Sequence, residues 1–271
     1  MKRMIFSLLM LAAMSGLPAF AQERGGRAKV LAQPSATGRV SQGAAAIERA
    51  ATAQKYIFVF FWKEKNQQTD RTWSVLQPAA AKMADWAEVA AVQVTDPAEQ
   101  ELVTRYDLSR APLPLVMAIA PCGAITKAFT GEFNEAQLQA AYVSPCTQLC
   151  LKALQDKKLV LLCVTDQADS NAAAAMPKGV RDFKADKLYG AATEVVFMSA
   201  SDEGEAKFLQ ELQVNTKMSK PCTVLLAPPG SVIGQFEGRT SKEQIVAKLV
   251  AAQNNPCAGG KCGPNGCGPK K

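Results

Sequence analysis

Residues 114–138 read PLVMAIAPCGAITKAFTGEFNEAQL, and residues 221–245 read PCTVLLAPPGSVIGQFEGRTSKEQI. Aligned without gaps at an offset of 107, seven of the 25 positions are identical: Pro114/Pro221, Ala120/Ala227, Pro121/Pro228, Gly123/Gly230, Phe129/Phe236, Gly131/Gly238 and Gln137/Gln244. The shared residues include the turn glycine and prolines, where backbone geometry decides the residue type, so the match reads as an internal repeat. Each stretch predicts a strand, a Pro-Gly turn, a second strand and a capped helix. In the first, the strands are Leu115 to Ala120 and Ala124 to Phe129, and the helix runs from Asn134, its N-cap, to Val143. In the second, they are Thr223 to Ala227 and Val232 to Phe236, followed by a helix from the cap Ser241 to Ala252.

The residues before each stretch repeat as well. A helix is expected from Ala44 to Gln54. The run Lys55-Tyr56-Ile57-Phe58-Val59-Phe60-Phe61-Trp62 has no polar alternation, as in a central strand covered on both faces. A helix from Asp70 to Trp86 with Pro78 as a kink, a strand from Glu88 to Val94 and a helix from Pro97 to Tyr106 follow. The second round has a helix from Pro145 to Gln155, a buried strand from Leu159 to Thr165, helical sequence from Ala172 to Tyr189, a strand from Glu194 to Met198 and a helix from Glu203 to Gln213. The chain is therefore expected to be α/β, two copies of one βαβ…ββα unit spanning 44–144 and 145–253.

Composition narrows the chemistry. The 271 residues include 8 cysteines and no histidine, which excludes Ser-His-Asp and Cys-His catalysis and any histidine-ligated metal. Lys2 and Arg3, the apolar run from Met4 to Leu17 and the small-x-small pattern Ala19-Phe20-Ala21 read as a signal peptide over 1–21. Secretion or a periplasmic location follows, with no membrane span after cleavage, and in such compartments most cysteines are expected to be paired. Residues 22–43 read as a flexible linker and 254–271 as a Cys/Gly/Pro-rich tail. The net charge of +7 is spread among acidic residues. With no basic stripe or aromatic platform, nucleic acid is not an expected partner.

The unit resembles the thioredoxin-like superfamily, with a mixed central sheet flanked by helices. The resemblance rests on element order, on Phe61-Trp62-Lys63-Glu64 as the aromatic strand end, and on Pro114 and Pro221 by their spacing to the turn glycine. It implies that Pro114 and Pro221 have cis peptide bonds and face a peptide-binding surface. Pro112 is the alternative in the first copy. The redox pair of that family has no counterpart. A gapless count places Asn66, Gln67, Gln68 and Thr69 at the motif in the first copy, anchoring on Pro78 instead gives Asp70, Arg71, Thr72 and Trp73, and the gapless count in the second gives Gln167, Ala168, Asp169 and Ser170. Dithiol exchange needs a thiolate and a resolving thiol there. The resemblance thus implies a non-catalytic module that binds a protein or peptide around Pro114, Pro221, Asn66 and Thr69.

The cysteines keep two other functions open. Cys146 and Cys150 lie one turn apart on a helix face, with Ser144-Pro145 as N-cap and N1, where the helix terminus would lower a thiol pKa. They read either as a structural disulfide, with each other or with Cys122, or as a redox pair. Cys163 and Cys222 read as core cysteines or as a displaced redox pair, which would make the chain a thiol-disulfide oxidoreductase. In the tail, Cys257, Cys262 and Cys267 could hold Cu(I) or zinc, or form disulfides within or between chains. No other cofactor is expected. Trp62, Trp73 and Trp86 are expected in or around the first core. Asp96, Asp166 and Asp169 read as ordinary strand-end and loop carboxylates.

Overall fold

The computed structural model describes residues 40–165, 176–216 and 220–254. The signal segment 1–21, nearly all of the linker, the tail cysteines and the positions Gln167 to Ser170 lie outside the described residues.

In the first copy the apolar run forms β1 (Tyr56–Trp62), which pairs in parallel with β2 (Ala87–Gln93) and antiparallel with β3 (Leu115–Ile119). The β4 strand (Ile125–Thr130) completes the order β2-β1-β3-β4. Strand side chains alternate between faces, and both faces of β1 are apolar. Tyr56, Phe58 and Phe60 join one core with α2 (Gln67–Lys82) and α4 (Glu135–Gln139). Ile57, Val59 and Phe61 join another with α1 (Gln42–Thr52) and α3 (Gln100–Arg105). A strand with no polar face requires this three-layer stack.

The second copy repeats the plan. Here β5 (Leu159–Thr165) lies between β6 (Thr193–Ser199) and β7 (Cys222–Ala227), with β8 (Ser231–Glu237) at the edge, in the order β6-β5-β7-β8. One face packs on α5 (Pro145–Gln155) and α7 (Ala206–Glu211), the other on α6 (Lys178–Lys184) and α8 (Lys242–Asn254). The parallel first pair, the antiparallel hairpin and the helices on both faces make each copy thioredoxin-like, as expected.

Several boundaries moved for local reasons. The α1 helix starts two residues before the expected Ala44 because Ser41 caps it, accepting from Ala44 N. In the described part of the helix expected from Ala172 to Tyr189, the α-helical residues are those of α6. The Asp186 carboxylate takes Leu188 N at 2.7 Å and Tyr189 N at 3.3 Å, competing with the helical ladder. The helix after Asn134 ends at Gln139 rather than Val143. Tyr56 fixes Val143, donating its hydroxyl to Val143 O at 2.9 Å and accepting from Val143 N at 3.0 Å.

A buried glutamate anchors the first helix of each copy. Glu99 accepts from Ser41 Oγ at 2.6 Å and Gly43 N at 3.0 Å, at the start of α1. Glu205 accepts from Ser144 Oγ and from Thr147 Oγ1 at 2.9 Å, at the start of α5. Each glutamate ends a 3-10 turn capped by an aspartate: Asp96 accepts from Ala98 N and Asp202 from Gly204 N, both at 2.9 Å.

The α5 helix also joins the copies. Its Leu151 packs on the first copy's core. Gln155 presents its amide to the edge strand β4, accepting from Ile125 N at 2.9 Å and donating to Ile125 O at 2.6 Å. Gln148 Nε2 donates to Val143 O at 3.0 Å.

Two elements of the second copy approach closely at Gly179, where a Cβ would lie 2.1 Å from the backbone oxygen of Thr240. The backbone cannot yield as a flexible side chain would. We expect Gly179→Ala to destabilise the protein by about 1–3 kcal/mol in urea unfolding, even though alanine is the better helix former.

Candidate functional site

The first copy's site builds from the C-terminal end of β1. Trp62, half-buried, closes the strand. Asn66 then adopts an extended backbone and caps α2, accepting from Thr69 N at 2.9 Å. The Thr69 hydroxyl lies 2.8 Å from Glu64 O and 3.0 Å from Asn66 Oδ1. Thr69 is thus buried in the turn, while Asn66, Gln67 and Gln68 are exposed. Phe61 pairs with Leu115 across the sheet, which sets Pro114 beside the same strand end. The Leu113–Pro114 bond is cis and Pro114 is buried. Pro114, Asn66 and Thr69 therefore gather where β1, β3 and α2 meet. All three tryptophans pack against the first core, with Trp73 5.4 Å from Phe60 and Trp86 5.7 Å from Tyr56 between ring centroids.

The second copy departs from this pattern. Pro221 is exposed and not cis; the other cis bond among the described residues is Pro228–Pro229, in the β7–β8 turn. The trans preference of an X-Pro bond is only about 0.5–1 kcal/mol, so surroundings decide. The Pro114 ring is buried, whereas the neighbourhood of Pro221 is open and its carbonyl is occupied by Gly238 N at 2.7 Å.

The cysteines correct three expectations. Among the described residues, Cys122, Cys146, Cys150, Cys163 and Cys222 form no disulfide with one another. Positions one turn apart on a helix keep their Cβ atoms about 5–6 Å apart, farther than the roughly 3.5–4.5 Å of a disulfide. Cys122 Sγ instead lies 3.8 Å from Gln148 O, and Cys146 Sγ 3.2 Å from Phe197 O. Second, the thiol at the α5 terminus is raised rather than lowered. Burial, then the Glu205 carboxylate beside it, pushes Cys146 up to about 12. The terminus that would have stabilised a thiolate already holds Glu205. Third, Cys163 and Cys222 do not face each other. Cys163 pairs with Thr223 and Cys222 with Val164, so they point to opposite faces, one in the core with α6 and one in the core with α5.

Among the described residues, no group of three or more histidine, cysteine, aspartate or glutamate side chains is arranged to hold a metal ion. No described helix is long and apolar enough to cross a membrane. The residues that sequence reasoning passed over are Glu99, Asp202 and Glu205, and Asp96, read as an ordinary carboxylate, caps the turn that carries Glu99. The signal was the spacing Asp-x-x-Glu at corresponding points of the two copies, outside the hairpin stretch that revealed the repeat.

No family model matches the chain, and no curated protein does. Among solved structures, it is similar to the reduced desulfothioredoxin of Desulfovibrio vulgaris Hildenborough, at 26% identity over 36% of this chain and 85% of that one, with a TM-score of 0.28. It is similar to the germline-specific thioredoxin Deadhead of Drosophila melanogaster at 20% identity, over 38% of this chain and 94% of that one, with a TM-score of 0.30. The first two thioredoxin domains of Naumovozyma dairenensis Eps1p match 79% of this chain and 98% of their own, at 11% identity and a TM-score of 0.30.

The thiols yield a pH dependence. Burial holds Cys150 and Cys163 at about 12, against an ordinary value near 8.5. Once unfolded, both return to that value, so above it the unfolded chain binds fewer protons than the folded one. Their contribution to stability is complete below about pH 8.5 and is lost as pH rises toward 12. Urea unfolding between pH 8 and 11 should show stability falling with a slope that approaches about 1.4 kcal/mol per pH unit for each thiol. Cys163→Ala should remove one thiol's share.

Proposed function

We propose that this chain is an exported, non-catalytic tandem thioredoxin-like protein, secreted or periplasmic, that binds a protein or an extended peptide at the first copy. The binding face is the meeting point of cis-Pro114 with Asn66 and Thr69. The observation that carries this reading is what occupies the start of α2. Dithiol exchange would need a nucleophilic sulfur there, and the position is filled by an asparagine cap and a buried threonine. The exposed Asn66, Gln67 and Gln68 both donate and accept hydrogen bonds, which suits an extended backbone. The raised thiols support the absence of thiol chemistry, since the thiolate is the nucleophile.

Two measurements test the reading. The purified protein should fail to reduce insulin disulfides, and Cys146 should react with iodoacetamide at pH 8 at least about a hundredfold more slowly in the native than in the denatured state. Rapid native alkylation would favour an oxidoreductase. In an NMR titration with unfolded, reduced model polypeptides, shifts should cluster at 66–69 and 113–115. Binding that leaves those amides unmoved would overturn the assignment of the face.

A further inference from the structure

A cleft of about 540 Å3 lies at the C-terminal end of β1 and β2, over the start of α1, and the proposed peptide face does not use it. Trp62 supplies one wall, and Gln42, Gln93, Asp96 and Glu99 supply the polar lining. The lining holds two carboxylates and no cationic side chain, and neither carboxylate is in a salt bridge among the described residues. Both Glu99 oxygens are engaged by Ser41 and Gly43. Asp96 is different: Oδ1 accepts from Ala98 N, and its second oxygen has no donor among the described residues. Gln93 donates its amide to Lys63 O at 3.2 Å, which leaves its own carbonyl oxygen as an acceptor.

A second, independent feature leads into the cleft. The β2 strand is at the edge of its sheet, paired only with β1 among the described residues. An open edge presents a row of backbone donors and acceptors to an added strand. Its last residues, Ala90, Ala91, Val92 and Gln93, include no proline or charge to block such an addition. The register, with Trp62 opposite Gln93, carries the edge up to the cleft.

We propose that this is a binding site for an extended peptide bearing an arginine. The main chain of the peptide adds to the free edge of β2, and its arginine side chain enters the cleft. Guanidinium suits this lining better than ammonium. Its plane stacks on the Trp62 indole while its N–H fork pairs with Asp96 and the Gln93 carbonyl. The site is separate from the face at Pro114 and does not rest on it.

The test uses the full chain and two probes, acetyl-Thr-Val-Arg-Val-Thr-amide and the same peptide with citrulline, the neutral isostere, in place of arginine. Tryptophan fluorescence should report at least about tenfold tighter binding of the arginine peptide, weakening with added salt. The β2 amides should gain hydrogen-exchange protection. Asp96→Asn keeps a cap acceptor for Ala98 N, so it should fold normally and lose the discrimination. Asn66→Ala should leave the discrimination intact, which separates this site from the proposed peptide face. Equal binding of the two probes, or discrimination that survives in Asp96→Asn, would overturn the proposal. So would much tighter arginine-peptide binding in Arg39→Gln, because Arg39 directly precedes Val40 at the cleft and the chain's own side chain would then be the occupant.

Discussion

A strand with no polar face must be covered twice, and everything else in each copy follows from that. Along β1 every residue from Tyr56 to Phe61 is buried, so helices are required on both sides of the sheet. A parallel neighbour then needs a crossover helix, and that helix must start at the strand's C-terminal end. This sets the start of α2, and with it Asn66 and Thr69, next to Pro114. The candidate site is thus a by-product of satisfying an aromatic strand. The second copy shows the same logic with smaller side chains, Leu159 to Thr165.

The layers need a fastener, and the fastener is polar. A buried carboxylate is costly unless its oxygens are hydrogen-bonded. Glu99 is held through both oxygens and Glu205 through Oε2, each at a helix N-terminus, where the helix dipole favours a negative charge. Each glutamate ties the first helix to the loop after the second parallel strand. The same arrangement settles the chemistry of Cys146. A helix terminus can stabilise one anion well, and in the second copy it has been given to Glu205.

How much of this could be read from the sequence depends on the range of the interaction. The order of elements along the chain, the hairpins and the caps Asn134 and Ser241 are legible, because apolar runs and cap residues are local signals. Of the candidate site, Asn66, Thr69 and Pro114 come together where β1, β3 and α2 meet, because they sit at fixed offsets from β1 and the turn glycine. Pro221 departs from the pattern, exposed and without a cis bond, because packing around a proline is not encoded by its spacing to the turn glycine. The thiol pairings failed for a similar reason. Spacing shows which cysteines are near in sequence, but the opposite facing of Cys163 and Cys222 emerges only from the β5–β7 register. Asp96 reads as an ordinary carboxylate and Glu99 goes unread, because their one signal, Asp-x-x-Glu, appears only when 96–99 is set beside 202–205.

The amide of Gln155 has a consequence for how this molecule can meet others. By occupying both backbone groups of Ile125, it plugs part of one flank of the first sheet from within the same chain, while the opposite flank keeps its backbone groups unclaimed by any described strand. The sheet therefore has a polarity: one flank is engaged at Ile125 by the neighbouring copy, and the other has no strand beside it among the described residues. The duplication that doubled the chain's length thus also gave the first sheet one flank in contact with the second copy and one without a described neighbour.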